Sequence, residues 1–366
     1  MYIHDLHDWP GFQWDDRRLA ALLSAARHQQ GRLVGHMEAL GFRVRAEAVL
    51  LTLTEDVLKS SEIEGEKLDA DQVSSSVARR LGLDIGGLQP ADRHVDGVVE
   101  MMLDATQHYD QLLTTERLFD WHASLFPDAR NGRHPIAVGA WRHDRTGPMQ
   151  VVSGPVGRER VHFEAPAAGR LDHEMQRFLA WFNDQAIMEP VLKAALAHLW
   201  FVTIHPFDDG NGRIARAIAD MSLARSEGSP QRFYSMSARI QEERRAYYGI
   251  LERTQGGTLD VTAWMEWFLG CLTCAIEGAQ AALTGVIAKS RYWDTLRDVV
   301  LNERQRLVIN RLLEGFEGKL TTSRWALLTK SSTDTALRDI QQLVERGVLA
   351  RNQAGGRSTS YSLAAP

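Results

Sequence analysis

Residues 194–224 read AALAHLWFVTIHPFDDGNGRIARAIADMSLA. The apolar run to Ile204 has the character of a buried helix. The twelve residues His205–Arg216 then gather one His, two Asp, one Asn, two Gly and two Arg before a second helix takes over. Pro206 cannot simply continue the first helix. Gly210 and Gly212 permit a tight turn and close approach of a ligand. The first N–H groups of the second helix point back into the loop, and a helix start joined to a glycine turn binds anions. Arg213 and Arg216, three apart, add two permanently charged forks suited to phosphate oxygens. Asp209 is a hard oxygen ligand of the kind that holds Mg²⁺ on phosphates. His205 is the one side chain of the loop able to take a proton near neutral pH. The loop has no Ser or Cys as covalent nucleophile, so direct transfer to an external hydroxyl is expected.

The chain of 366 residues is long for one simple core, and two or three domains are expected. Hydrophobic residues at 44% and charged residues at 24% describe an ordinary globular composition. A net charge of −5 argues against a chain built mainly to coat nucleic acid. The balance is uneven: from Leu301 onward Lys and Arg outnumber Asp and Glu by ten to six, while the remainder is acidic. Two cysteines, Cys271 and Cys274, exclude a disulfide framework. Their C-x-x-C spacing lies in WMEWFLGCLTCAIEGA, an apolar helical stretch, so buried helix residues are expected rather than a metal or redox pair. No apolar run approaches the roughly 20 residues of a membrane span. MYIHDLHDWPGF lacks the form of a signal peptide, and a cytoplasmic protein without a membrane partner is expected.

Helical periodicity dominates. It runs through DDRRLAALLSAARHQQGRLVGHMEAL and RAEAVLLTLTEDVLKSSEIEGEKL, pauses at LGLDIGGLQPADRH, and resumes in DGVVEMMLDATQHYDQLL and TTERLFDWHASLF. Between Asn131 and Pro166, glycines, prolines and alternating Val151, Val161 and Phe163 suit a β-hairpin or flap. Helices return with LDHEMQRFLAWFND and continue to about Ala282. Trp9, Pro10, Phe12 and Trp14 have the look of packing residues. His4 and His7, beside Asp5 and Asp8, are expected to pack or face solvent rather than hold metal. The last segment gives three helices, NERQRLVINRLLEGF, TTSRWALLTK and SSTDTALRDIQQLVERGVL, then two short strands around a Gly-Gly turn.

The loop at 205–216 resembles the motif of the Fic domain, H-P-F-x-D-G-N-G-R-x-x-R, at every defining position, and the likeness extends over roughly the middle half of the chain. The resemblance implies a mainly α fold: a Fic helical core with a β-hairpin flap. It also implies protein adenylylation with ATP and Mg²⁺. His205 would deprotonate the hydroxyl of a target protein as it attacks the α-phosphate, and Asp209 would bind Mg²⁺. Asn211, Gly212 and Arg213, with the turn at Gly210, would hold the α- and β-phosphates, and Arg216 the γ-phosphate. Phe207 would be a buried anchor. The flap near 145–165 would dock the target by strand addition.

Far upstream, Ser60-Ser61-Glu62-Ile63-Glu64-Gly65 resembles the S/T-x-x-x-E-G inhibitory motif of Fic proteins. Glu64 would pair with Arg216 and take the γ-phosphate's place, with Ser60 and Gly65 as the motif's other fixed positions. The stretch from His4 to Gly35 is similar to a helical region often fused ahead of bacterial Fic domains. The C-terminal segment resembles a winged helix-turn-helix, which implies DNA contact through Arg338 and Arg357; a protein-interaction or dimerisation module is the alternative, and a homodimer is a further partner. The expected domains are 1–85, an N-terminal helical region; 86–285, the Fic domain; and 286–366, the winged helix. Rival functions are a nucleotide-sensing DNA-binding regulator, a transferase using another nucleotide or phosphate-linked donor, and an enzyme that mainly removes AMP with water oriented by Glu64.

Overall fold

The computed structural model describes residues 1–366 apart from 39, 84–87, 128–135, 145–146, 156, 185–187, 298, 314, 317, 353–358 and 365–366. It comprises two compact units, Met1–Ala279 and Gln280–Pro366. Residues 1–83 therefore lie in the same unit as the loop at 205–216. No helix among the described residues is long and apolar enough to cross a membrane.

The first unit is helical. Its elements are α1 (Asp16–Glu38), α2 (Phe42–Ile63), α3 (Ala70–Leu81), α4 (Arg93–Gln107), α5 (Thr115–Leu125), β1 (Gln150–Ser153), β2 (Arg160–Glu164), α6 (Leu171–Asn183), α7 (Pro190–Ile204), α8 (Asn211–Glu227), α9 (Met236–Glu242), α10 (Arg244–Gln255) and α11 (Thr262–Thr295), the last running past the division. α7 is the centre. Pro190 starts it, where the missing N–H costs nothing, and Glu189 caps it by accepting from the Leu192 N–H at 2.9 Å. Every side chain from Val191 to Ile204 is buried, the condition under which a helix is apolar on all faces. α8 packs along α7; α2, α4, α5 and α9 pack on α8, and α6 packs on α7. The loop between α7 and α8 is thereby held at both ends by core helices.

α3 escapes sequence periodicity because three serines and two arginines crowd it. Asp69 caps it by accepting from the Gln72 N–H, and Val73, Val77 and Ala78 bury the inner face. Packing, not propensity, fixes this helix. Trp9 and Phe12 pack as expected, while Trp14 bonds Asp16 at the surface. Trp9 is buried against Phe12 and Trp200, with ring centroids 5.1 and 6.2 Å away, and its Nε1 donates to Glu174 Oε2 at 2.9 Å. His4 is buried with Nε2 on the Glu164 carbonyl at 2.8 Å, whereas His7 faces solvent. Cys271 lies buried on α11, where burial pushes its thiol well up.

β1 and β2 form the expected hairpin, with a bulge at Val151/Val152. The bulge breaks the simple alternation: Phe163 is buried, Val151 half-buried, and Val161 exposed.

In the second unit α12 (Glu303–Leu313), α13 (Thr322–Leu328) and α14 (Thr333–Glu345) precede an antiparallel pair, β3 (Leu349–Arg351) and β4 (Tyr361–Leu363). Thr321 and Ser332 cap α13 and α14. Trp325, Val308, Ile309, Ile340 and Leu343 form its core.

Candidate functional site

His205 ends α7 in the left-handed region, at φ 52° and ψ 57°. A residue with a Cβ adopts this conformation only when its surroundings impose it. Arg142 does much of the imposing. It is buried, and its Nε donates to the His205 carbonyl at 2.7 Å while its own N–H donates to the Pro206 carbonyl at 3.0 Å. Its Nη2 donates to the Pro166 carbonyl at 2.5 Å and Nη1 to Asp144 at 2.9 Å. One guanidinium thus ties the start of the loop to the chain leaving the hairpin. Arg142→Ala is expected to lower stability by roughly 1–3 kcal/mol for each carbonyl left unpaired. The check is the denaturant midpoint followed by tryptophan fluorescence, with Arg142→Lys recovering only part of the loss.

The loop closes on itself through Asn211. Its Oδ1 accepts from the Phe207 N–H at 3.0 Å and its Nδ2 donates to the Phe207 carbonyl at 2.8 Å. The Asn211 side chain is therefore committed to the turn. Phe207 is fully buried, stacked on His122 at 4.2 Å, the anchor expected of it.

His205 Nδ1 lies 3.2 Å from the Val202 carbonyl. A nitrogen beside a carbonyl carries the hydrogen, so Nε2 keeps its lone pair. Burial pushes the imidazole down to about 4. At neutral pH the ring is an unprotonated base.

Gly210 precedes α8 at φ +81°, a left-handed position that glycine takes freely. Gly212 serves differently: a Cβ there would collide with Glu64 Oε1. That carboxylate lies over the first turn of α8, where the exposed N–H groups and helix dipole favour an anion. It is held there by Arg216, whose Nη2 donates to Glu64 Oε1 at 2.8 Å and to the Ser60 carbonyl at 2.9 Å. Arg216 Nε donates to Ser60 Oγ at 2.9 Å, and Gly65 turns the chain away at φ +87°. Burial disfavours the Arg216 charge, but Glu64 and its neighbours keep it firmly protonated. Arg216 Nη1 is buried with no hydrogen-bond partner among the described residues.

Two residues beyond Glu64 a second carboxylate engages the second arginine. Arg213 Nη1 donates to Glu66 Oε2 at 3.0 Å, with its guanidinium 5.1 Å from the Phe126 ring centre. Glu66 Oε1 lies 2.5 Å from His94 Nε2, and His94 Nδ1 lies 3.0 Å from the Leu125 carbonyl. Both ring nitrogens lie beside oxygen atoms. The contact with Glu66 raises His94, and the same contact lowers Glu66.

Asp209 points outward, 64% exposed, with Oδ1 accepting from the Gly210 N–H at 2.6 Å. Asp208 is spent on the Ala137 N–H. Among the described residues no cluster of three or more His, Cys, Asp or Glu side chains forms a ready metal cage. One exposed carboxylate beside a phosphate cradle fits Mg²⁺, which keeps waters and takes its other ligands from phosphates. The orphaned Arg216 Nη1 fits an incoming phosphate oxygen.

His205, Asp209, Gly210, Asn211, Gly212, Arg213 and Arg216 thus converge with Ser60, Glu64 and Gly65. A cavity of about 630 Å³ is lined by Glu64, Ser153, His162, His205, Gly212 and Tyr248, among others. Sequence reasoning missed Arg142, Glu66, His94 and Tyr248, whose hydroxyl donates to the Ile63 carbonyl at 3.3 Å. Glu66 was visible in EIEGEK as a carboxylate at the right spacing; the other three carry no local signal. Arg338 is exposed on α14 in the second unit, and Arg357 lies outside the described residues.

A helical core thus presents a histidine, a glycine turn and two arginines together at a helix start. Residues 112–223 match the Fic/DOC family, and the chain carries a Fic domain. Residues 2–83 match a domain of unknown function, DUF4172. A relative named protein adenylyltransferase Fic, from Drosophila yakuba, is 27% identical over 274 residues, 70% of this chain and 46% of that protein. The chain spans about half the length of the curated relatives it matches. Two solved structures share the fold. A Fic family protein from Desulfovibrio desulfuricans G20 gives a TM-score of 0.52 at 19% identity, covering 95% of this chain and 96% of that one. A Fic domain containing signaling protein from Bacteroides thetaiotaomicron VPI-5482 gives 0.52 at 22% identity, covering 73% and 97%.

Proposed function

We propose that the chain is a protein adenylyltransferase that moves AMP from ATP to a Ser, Thr or Tyr hydroxyl of a target protein, and that Glu64 holds it in check. The observation that carries this is the free Nε2 of a neutral His205 in the same cavity as the start of α8. His205 would take the proton of the target hydroxyl. The N–H groups of Asn211, Gly212 and Arg213 would hold phosphate oxygens, with the Asn211 side chain fixing the turn that aims them. Arg216, buried and with Nη1 unpartnered, would hold the terminal phosphate once Glu64 leaves. Asp209 would hold Mg²⁺, which offsets phosphate charge when bound. Positioning and electrostatics supply most of the rate in such a site. The edge of β1 would dock the target strand. The relatives' printed activity agrees.

The test uses ATP labelled at the α- or the γ-phosphate, Mg²⁺, the Glu64→Gly chain and a cell lysate. Protein-bound label is expected from the α-position only, with pyrophosphate released one for one. Label from the γ-position would make the chain a kinase and overturn the proposal.

A further inference from the structure

The contact that places Glu64 continues beyond the loop. Along α2 and its end, residues 56, 60 and 64 fall one turn apart; along α8, residues 220, 216 and 212 do so in the opposite direction. Glu64 Oε1 stands against Gly212, and Ser60 accepts from Arg216. The next rung of this antiparallel seam sets Asp56 against Asp220, two buried carboxyl groups. Asp56 Oδ1 accepts from the Ser235 hydroxyl and from the Ser237 N–H at 3.2 Å. Asp220 Oδ1 accepts from Arg232 Nη2 at 2.7 Å, but Oδ2 is buried with no hydrogen-bond partner among the described residues. Arg232 Nη1 lies 3.6 Å from Glu227 Oε2, and Glu227 also accepts from Gln30 at 2.9 Å and from the Tyr234 hydroxyl. Exposed Glu55 and half-buried Lys59 flank Asp56 along α2 with opposing charges.

Three carboxyl side chains, Asp56, Asp220 and Glu227, thus share the one guanidinium of Arg232 away from water. Such an excess of buried negative charge is relieved by taking up a proton. Asp56 and Glu227 each have two neutral donors. Asp220 has only Arg232, and an Oδ2 with nothing to accept. Burial, and then the charge of Asp56, push the Asp220 carboxyl well above the usual range.

We propose that Asp220 carries a proton shared with Asp56, and that this proton pins α2 to α8 and so keeps Glu64 on Arg216. Asp56 and Asp220 are then positioning residues of the brake; the proposal rests on the reading of Glu64 given above. With the proton, the two carboxyl groups bond each other. Without it they are like charges in a buried contact, and the seam parts there. Rising pH therefore loosens the brake.

Asparagine replaces the shared proton with a fixed amide hydrogen. Asp220→Asn offers Arg232 an oxygen and Asp56 an N–H. Asp56→Asn keeps its oxygen for Ser235 and Ser237 and turns its amide N–H to an ionised Asp220. Both single variants are expected to transfer AMP from α-labelled ATP at pH 7 as slowly as wild type. In Asp56→Asn/Asp220→Asn two amide donors meet with no acceptor between them, and transfer is expected to rise about tenfold or more with Glu64 intact. A folded double variant as quiet as wild type overturns the pin. Infrared spectra read the proton itself. Wild type at pH 7 is expected to show the C=O band of a protonated carboxyl that both single variants lack; its absence overturns the shared proton. Coupling is reciprocal, so Glu64→Gly is expected to lose that band at lower pH than wild type, a comparison independent of whether the double variant folds. Loss at the same pH in both chains overturns the link to Glu64. A Glu64→Gly chain that labels no protein overturns the transferase reading, and the band and its shift still decide the pin.

Discussion

Glu64→Gly is expected to raise the initial rate of AMP transfer by about 10²-fold or more, the scale on which misplaced reactants lose rate. Three contacts set this expectation. Glu64 Oε1 occupies Arg216 Nη2 at 2.8 Å. The same oxygen stands against Gly212 over the first turn of α8, where an ATP phosphate would lie. Tyr248, whose hydroxyl reaches the Ile63 carbonyl at 3.3 Å, steadies the turn that carries it. Removing the carboxylate returns one buried guanidinium and the start of a helix to the phosphates. Glu66 sets a limit on the gain. It still holds Arg213, and His94 lies against Glu66 at 2.5 Å. Glu64→Gly/Glu66→Gln is therefore expected to bind ATP more tightly than Glu64→Gly, by roughly the 1.5–3 kcal/mol of a charged hydrogen bond. Glu66→Gln alone should stay nearly as slow as wild type. Rates with α-labelled ATP and calorimetric affinities separate the two effects. A Glu64→Gly chain as quiet as wild type would remove Glu64 from the role of brake.

The contrast between these two carboxylates shows what a sequence carries. The loop at 205–216 is legible because its chemistry is local: one turn, one helix start, and side chains three and four apart. Glu64 is legible because a short pattern repeats a known resemblance. Glu66 has the same residue type two positions on, yet its partner is fixed only by how α2, α3 and α4 pack, which brings His94 to the far side of the carboxylate. Arg142 is further out of reach. It lies in GAWRH with no periodicity around it, and its role rests on carbonyls of residues 166, 205 and 206. Asn211 was legible as a site residue, but the structure spends its side chain on Phe207. Sequence named the residue and tertiary geometry named its task. α3 was lost for a related reason: its serines face inward at a helix–helix contact, where burial overrides their weak helical preference.

His205→Ala is expected to cut transfer to external targets by about 10²- to 10⁴-fold, the usual worth of a positioned base, with little change in ATP affinity. The more discriminating result is the pH profile of the uninhibited chain. Burial holds the His205 ring down to about 4, so its working form is already the neutral one at pH 7. Protonation of Nε2 removes the base, and activity falls only as pH drops through that depressed value. The acid limb should therefore lie at or below about 4, well under the 6.5 or so of a free imidazole. Glu64 raises His205 through its charge, whereas Arg142 lowers it. Glu64→Gly thus shifts the limb further down and not up, and Arg142→Ala shifts it up. The rates of Glu64→Gly and Glu64→Gly/Arg142→Ala between pH 4 and 8 decide the matter. A limb at 6.5 in both would mean that His205 works in water rather than in the packed end of α7.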